Sequence, residues 1–351
     1  MTVKVRSFAK INLGLCVGAP RPDGFHELRT VYQTIALHDI IGVQVGRGTG
    51  IEIRCDDERV PKDQTNTCYR SAECAMHALG ASGRVTITID KRLPVQGGLG
   101  AGSGNAVATL LALERALKKE LPGAERLRIA AEVGSDLPLF LVGGTVLGTG
   151  RGEEVYPLPD LPSACCVVAT PEIGVSTPKA FADWDAMIGT LKEPAERRSA
   201  RTAGSGRPHV DRADVRSKLT PLPPSDRMIE FGRAVSAWLS GQPLSGVPVS
   251  RGRGRAETSL LDLVRTGIEN DFELVVFPKY PELREVKSVL ERAGAFYASL
   301  SGSGSAVYGL FRSRAAGQKA AARLQRDGVP AAVTTTLTRR QYWKKFPVSG
   351  F

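Results

Sequence analysis

The chain has 351 residues, 42% of them hydrophobic and 24% charged, a composition that fits a globular protein of about two ordinary domains. No apolar run is long enough to span a bilayer, and Lys4, Arg6 and Lys10 break up the first stretch, so neither a secretory leader nor a membrane anchor is expected and the cytoplasm is the expected location. The six cysteines, Cys16, Cys55, Cys68, Cys74, Cys165 and Cys166, make no Cys-x-x-Cys pair and no Cys/His array with zinc spacing, which argues for free thiols in a reducing compartment.

In chain order, residues 3–17 alternate and then run apolar, as a strand does. "APRPDGFHEL" reads as a turn, and "LRTVYQTIAL" resumes a strand pattern. "GIEIRC" and "RVTITID" are two further strands by period-two alternation. Between them "TNTCYRSAECAMHAL" has helical spacing, with Tyr69, Ala72, Met76 and Leu79 on the expected buried face and Gly80 as its stop. A Gly-rich loop then leads into a helix that turns Val107, Leu110, Leu111 and Leu117 to a core, with Leu113 at the margin of that face. "AERLRIAAEVG" is another helix, and "GTVLGTGRGEEVYPL" a strand pair around a Gly-rich turn. Pro157, Pro159 and Pro162 mark a domain joint, after which "SACCVVAT" restarts as a strand. Residues 190–260 are rich in Gly, Pro, Ser and Arg and read as loops or partly disordered linkers around the helix "MIEFGRAVSAWL". "PELREVKSVLERAG" is helical, "AFYASLSGSGSAVYGLF" is strand, Gly-Ser loop, strand, and "AAGQKAAARLQRDG" and "VPAAVTTTL" are a last helix and strand.

The net charge of +11 gathers late: from Arg312 to Phe351, nine Lys and Arg stand against one acid, Asp327. A solvated basic face that draws in an anionic substrate is favoured over nucleic-acid binding.

The chemistry centres on "LPVQGGLGAGSGNAVATLLAL". Gly97, Gly98, Gly100, Gly102 and Gly104 fall within eight positions, at an entropic cost that needs a reason. A Gly-rich turn opening a helix exposes backbone N–H groups at the positive end of the helix dipole, which makes a phosphate site. The Rossmann pattern fails, because Ser103 stands where its third glycine belongs, and the Walker pattern fails for want of a Lys after the glycines. Protein-kinase H-R-D and D-F-G motifs are absent. Elsewhere, Asp136 in "GSDLP" reads either as a helix N-cap or as a general base, Lys10 sits in an apolar run, and His26 follows the aromatic Phe25.

"PVQGGLGAGSGNAVA" resembles the second motif of the GHMP small-molecule kinases, usually P-x-G-x-G-L-G-G-G-S-S-N-A-A. "FAKINLGLCVGAPRPDGFHEL" and "VGSDLPLFLVGGTVLGTGRGE" are similar to the first motif and the catalytic-aspartate segment of the branch that acts on a cytidine diphosphate derivative of methylerythritol. "SLSGSGSAVYGLF" resembles the third, Gly-rich motif. The resemblance covers roughly residues 3–180 and 265–315, and 190–260 looks like an insertion. It implies a two-domain α+β fold. The N-terminal domain (1–160) would resemble domain 2 of ribosomal protein S5 and bind ATP. The C-terminal domain (161–351), carrying the insertion, would be ferredoxin-like.

The resemblance further implies ATP and Mg2+ as cofactors, a small-molecule alcohol as acceptor, and roles for particular residues. Asp136 would be the base and Lys10 its cationic partner. Pro94, Gln96, Gly97, Gly98, Leu99, Gly100, Ala101, Gly102, Ser103 and Gly104 would hold ATP phosphates, and Asn66 and Lys91 would meet the adenine. Asn12 would bind the acceptor, His26 would read cytosine, and Phe25 and Phe181 would stack on the faces of that base. Gly302, Ser303 and Gly304 would close the site. No protein carboxylate is evident for the metal; Ser103 is an indirect ligand at most. Gln96, Ala101 and Gly104 depart from the usual loop, and Phe25 replaces the usual Tyr. Two alternatives stay open: a GHMP kinase for homoserine, mevalonate or a sugar, and a non-catalytic nucleotide- or RNA-binding protein. Monomer and dimer are not distinguished.

Overall fold

The N-terminal strand pattern forms β1 (Val3–Pro20), paired antiparallel along nearly its whole length with β2 (His26–Gly46). The turn between them is closed by Arg21 N–H to Phe25 C=O, 2.7 Å. The structure, a computed structural model, describes residues 2–95, 97–191, 224–240 and 269–348. Gln96 and most of the 190–260 stretch lie outside the described residues.

β2 is the spine of the first sheet. One of its edges takes β1; the other takes β4 (Arg84–Asp90) along Ile40–Gly46 and β5 (Thr145–Thr149) along Thr30–Gln33. β3 (Ile51–Cys55) adds parallel to β4, and β6 (Glu154–Pro157) antiparallel to β5. Helices α1 (Thr67–Ala78), α2 (Ala101–Leu117), α3 (Gly123–Val133) and α4 (Leu137–Val142) share a core with this sheet.

Two expected faces shift. In α1 the buried residues are Cys68, Ser71, Ala72 and Ala75, while Tyr69, Met76 and Leu79 sit at the margin. In α2, Leu113 is fully buried and Leu117 only partly so. That helix has α1, α4 and the strands β1 and β2 around it, so it has no single wet face for a periodicity argument to find.

The second sheet runs β10 (Ala331–Thr335), β7 (Cys165–Ala169), β9 (Val307–Phe311), β8 (Tyr297–Leu300), every neighbour antiparallel. With α5 (Thr177–Leu191) after β7 and α9 (Arg314–Arg326) after β9, this is a ferredoxin-like arrangement. Also described are α6 (Pro224–Ser240), α7 (Glu273–Lys279) and α8 (Pro281–Arg292). Ala9, Ile11 and Leu13 of β1 pack with Cys166, Val168, Tyr308 and Leu310 of the second sheet. The Tyr308 hydroxyl donates to the Asn12 carbonyl at 2.7 Å. Each buried Ile or Leu contributes about 1.5–3 kcal/mol against about 0.5–1.5 for a hydrogen bond, so the shared core, more than the bond, sets the two sheets together.

The chain ends on the body where it began. Helix α10 (Arg339–Lys345) starts in a capping box between Thr338 and Gln341, and Tyr342 and Phe346 enter the first core. Arg6 N–H bonds the Phe346 carbonyl at 2.8 Å. Helices α4, α5, α7 and α10 are additions to the sequence-based expectation. Among the described residues no helix is long and apolar enough to cross a membrane.

Candidate active site

The Gly-rich loop joins β4 to α2 and ends at Gly100, the N-cap residue, in the left-handed region at φ +67°. A Cβ there would press on the Lys10 side chain at 3.0 Å and on Phe140 at 3.1 Å. The cap has no side chain to offer, and the first helical bond is Gly104 N–H to Gly100 C=O, 2.8 Å. The amides of residues 101–103 precede that bond, as a phosphate cradle requires. A cleft of about 360 Å³ opens over them, lined among others by Asn66, Lys91, Pro94, Gly97–Ser103 and Asn105. Gly104 is not in its lining; it is buried against the Phe8 carbonyl and the Ser7 hydroxyl.

Gly98 answers another demand. At φ +78° its Cβ would lie 2.2 Å from the Ser301 carbonyl oxygen. The third Gly-rich segment crosses the loop here: Ala306 N–H bonds Gly97 C=O, and the Ser301 hydroxyl bonds Gly98 C=O, both at 3.0 Å. Part of the glycine richness therefore serves the contact of two backbones.

Lys91 and Asn66 stand in the wall of this cleft with their polar atoms engaged. The Lys91 ammonium donates to Asp39 at 2.7 Å and to the Leu93 carbonyl at 2.6 Å. Asp39, fully buried, also accepts from the amides of Arg92 and Leu93 and from Asn105. It ties β2 to both ends of the Gly-rich loop. Asp39 is absent from the sequence-based site; its one signal is an acid within the strand run "IALHDIIGV". Asn66 caps α1 by accepting from Cys68 N–H at 2.8 Å and donates to the Pro61 carbonyl at 2.6 Å.

A second cleft, about 340 Å³, shares Gly98, Gly100 and Ser103 with the first and is lined also by Lys10, Asn12, Phe25, His26, Tyr32, Asp136, Arg151, Phe181, Gly302 and Ser303. The two clefts meet at the N-terminus of α2. Asp136 occupies the N-cap position of α4, yet its side chain makes no cap bond. It accepts from the Tyr32 hydroxyl at 2.9 Å and lies 3.4 Å from the Lys10 ammonium. Lys10 is 3% exposed, far from a solvent-facing strand lysine, and donates to Asn12 Oδ1 at 2.7 Å. Asn12 in turn donates to the Thr30 hydroxyl at 2.8 Å. Burial, and next the negative charge of Asp136, push the Tyr32 phenol well above its ordinary range, so it stays a donor to that carboxylate.

At the far end, His26 is buried and Phe25 exposed. The Phe181 ring stacks on His26 at 4.9 Å and 22° and meets Phe272 edge-on, while Phe25 lies under the Arg151 guanidinium at 4.9 Å. The two phenylalanines expected on opposite faces of one base thus pack against protein groups here. Ser303 and Thr177 join hydroxyls at 2.8 Å, linking the third Gly-rich segment to α5. Tyr32, Arg151 and Thr177 join this site although none is singled out by the sequence; tertiary contact alone brings them in. Among the described residues no cluster of three or more His, Cys, Asp or Glu side chains could hold a metal ion.

The family model for the GHMP kinase N-terminal domain matches residues 66–144, and that for the GHMP kinase C-terminal region matches 256–330. A 4-diphosphocytidyl-2-C-methyl-D-erythritol kinase of Solibacter usitatus is 37% identical over 88% of this chain and 81% of its own length. A crystal structure of 4-(cytidine 5'-diphospho)-2C-methyl-D-erythritol kinase superimposes with a TM-score of 0.64 at 28% identity, over 95% of this chain and 98% of its own. A homoserine kinase structure from Cytophaga hutchinsonii reaches a TM-score of 0.65 at 20% identity, over 96% and 95%, and shows the fold alone. The chain belongs to the GHMP kinases, within their family of 4-diphosphocytidyl-2-C-methyl-D-erythritol kinases.

Proposed function

We propose that this protein transfers the γ-phosphoryl group of ATP to the 2-hydroxyl of 4-diphosphocytidyl-2-C-methyl-D-erythritol, in the non-mevalonate isoprenoid pathway. The observation that carries the reading is the meeting of two clefts at the N-terminus of α2, with Asp136 and Lys10 on the acceptor side of the junction. The amides of residues 101–103 bind the phosphates of ATP, which enters the first cleft beside Asn66. The acceptor fills the second, with its cytosine toward His26 and Phe181 and its hydroxyl toward Asp136.

Asp136 takes the hydroxyl proton as the oxygen attacks the γ-phosphorus, and the bond to the β-phosphate breaks to release ADP. The Tyr32 hydroxyl and the Lys10 ammonium hold the carboxylate in place. Buried and anchored by Asn12, Lys10 also faces the charge that builds on the transferring group. Magnesium is held mainly by water and substrate phosphates, and Ser103, in the lining of both clefts, is the residue that would help hold it. Bound there, magnesium would neutralise phosphate charge.

The test is ADP release with four acceptors: the diphosphocytidyl alcohol, homoserine, mevalonate and galactose. Turnover with the first alone is expected; preference for any of the others overturns the acceptor.

A further inference from the structure

Helix α5 places Thr177, Phe181 and Asp185 one turn apart, and the first two line the acceptor cleft. Thr177 meets Ser303 and Phe181 stacks on His26. Asp185 reaches the same imidazole: its Oδ1 lies 2.8 Å from His26 Nε2. The helix is anchored on its other sides, with Trp184 on the flank of this row fully buried in the second core and Asp183 paired with Lys279 at 2.6 Å. The carboxylate is thus carried to the ring by a fixed element.

We infer that Asp185 is a positioning residue that sets which hydrogen-bonding pattern His26 shows to the acceptor. An ionised carboxylate only accepts, so Nε2 must carry the hydrogen it receives. In a neutral ring the other nitrogen, Nδ1, is then an acceptor. An acceptor at that place pairs with an amino group on the pyrimidine edge and opposes a carbonyl oxygen. Cytosine carries an amino group at position 4, and uracil a carbonyl oxygen. By fixing the tautomer, Asp185 selects an aminopyrimidine over an oxopyrimidine without touching the base. The inference rests on the reading of His26 as the pyrimidine contact.

Its structural half is tested without substrate. Nitrogen-15 NMR of histidine-labelled full-length protein at pH 8, well above the ordinary imidazole pKa of about 6.5, reads the His26 tautomer directly. The wild type is expected to show Nε2–H with an unprotonated Nδ1. Asp185→Asn keeps an acceptor oxygen and should retain that pattern; Asp185→Ala should lose it to a tautomer mixture. A doubly protonated ring, or an Asp185→Ala spectrum identical to the wild type, overturns the proposal.

The functional half compares the cytidylyl acceptor with its uridylyl analogue. Asp185→Ala should raise KM for the cytidylyl acceptor about tenfold and narrow discrimination against the uridylyl analogue, while kcat and KM for ATP hold. Asp185→Asn should restore most of the difference. Equal losses on both acceptors, or a fall in kcat alone, would reduce Asp185 to a structural residue. A wild type inactive on both acceptors but with the expected NMR pattern would instead sink the acceptor assignment.

Discussion

The two clefts that meet at α2 are built from different materials. The first is largely backbone: amides and glycines from Gly97 to Ser103, with Asp39 and Lys91 bracing the chain from behind. The second is largely side chain: Lys10, Asn12, His26, Asp136, Arg151 and Phe181, drawn from β1, β2, the turn after β5 and the helices α4 and α5. A backbone cradle depends on the path of the chain and tolerates changed side chains, so Ala101 can stand where the family usually has Gly. A side-chain cleft depends on each group, and selectivity among alcohols belongs there.

Five substitutions bear on this contrast. The largest effect is expected at Asp136→Ala, where kcat should fall by about 10²–10⁴ with circular dichroism and thermal midpoint near the wild type. Retained turnover would break the contrast, because chemistry would no longer depend on a side chain of the acceptor cleft. Next is Lys91→Met. It leaves Asp39 buried without its cation, and urea unfolding should show a loss of about 3–5 kcal/mol. A raised KM for ATP at unchanged stability would make Lys91 a nucleotide contact rather than a brace.

Gly98→Ala should cost about 1–3 kcal/mol and weaken ATP binding, since its methyl group meets the Ser301 carbonyl on a backbone that disfavours a side chain. Gly102→Ala is the control: its nearest neighbour would be 3.7 Å away, so stability should hold or rise by about 0.5–1 kcal/mol. Matching losses at both positions would mean that the loop answers to glycine content rather than to one close crossing. Among the variants expected to lose function the smallest effect is at His26→Ala, with KM for the cytidylyl acceptor up about tenfold, or about 1.4 kcal/mol, and KM for ATP unmoved. A parallel rise in both would dissolve the boundary between the clefts.

Much of this architecture is legible in the sequence. Alternation marks strands of the first sheet, a buried apolar run marks β7 of the second, and the turn residues around Asp23–Gly24 and Gly150–Gly152 mark joints of the first. Lys10 and Asp136 are found through motifs, and the structure brings them within 3.4 Å. Short helices are harder: α4 has six residues and α10 seven, too few for a period to show. α2 misleads because it is covered on several sides. Long-range partners leave no local trace: Asp39 and Lys91 are 52 positions apart, and His26 and Asp185 are 159. The crowding of glycines is visible, but its division between a phosphate cradle and the crossing at Gly98–Gly304 depends on a segment two hundred residues downstream.

The return of α10 to the first sheet bears on how the chain is made. Tyr342 packs beside Phe8, and its hydroxyl donates to the Phe140 carbonyl; Phe346 lies in the same core. During synthesis at about 5–20 residues per second, residues 1–160 would wait roughly ten to forty seconds for these rings to emerge. Until then the first half holds an unfilled apolar hollow, and a chain cut before Tyr342 would leave that hollow permanently open. The amino-terminal half leaves the ribosome first and is finished last.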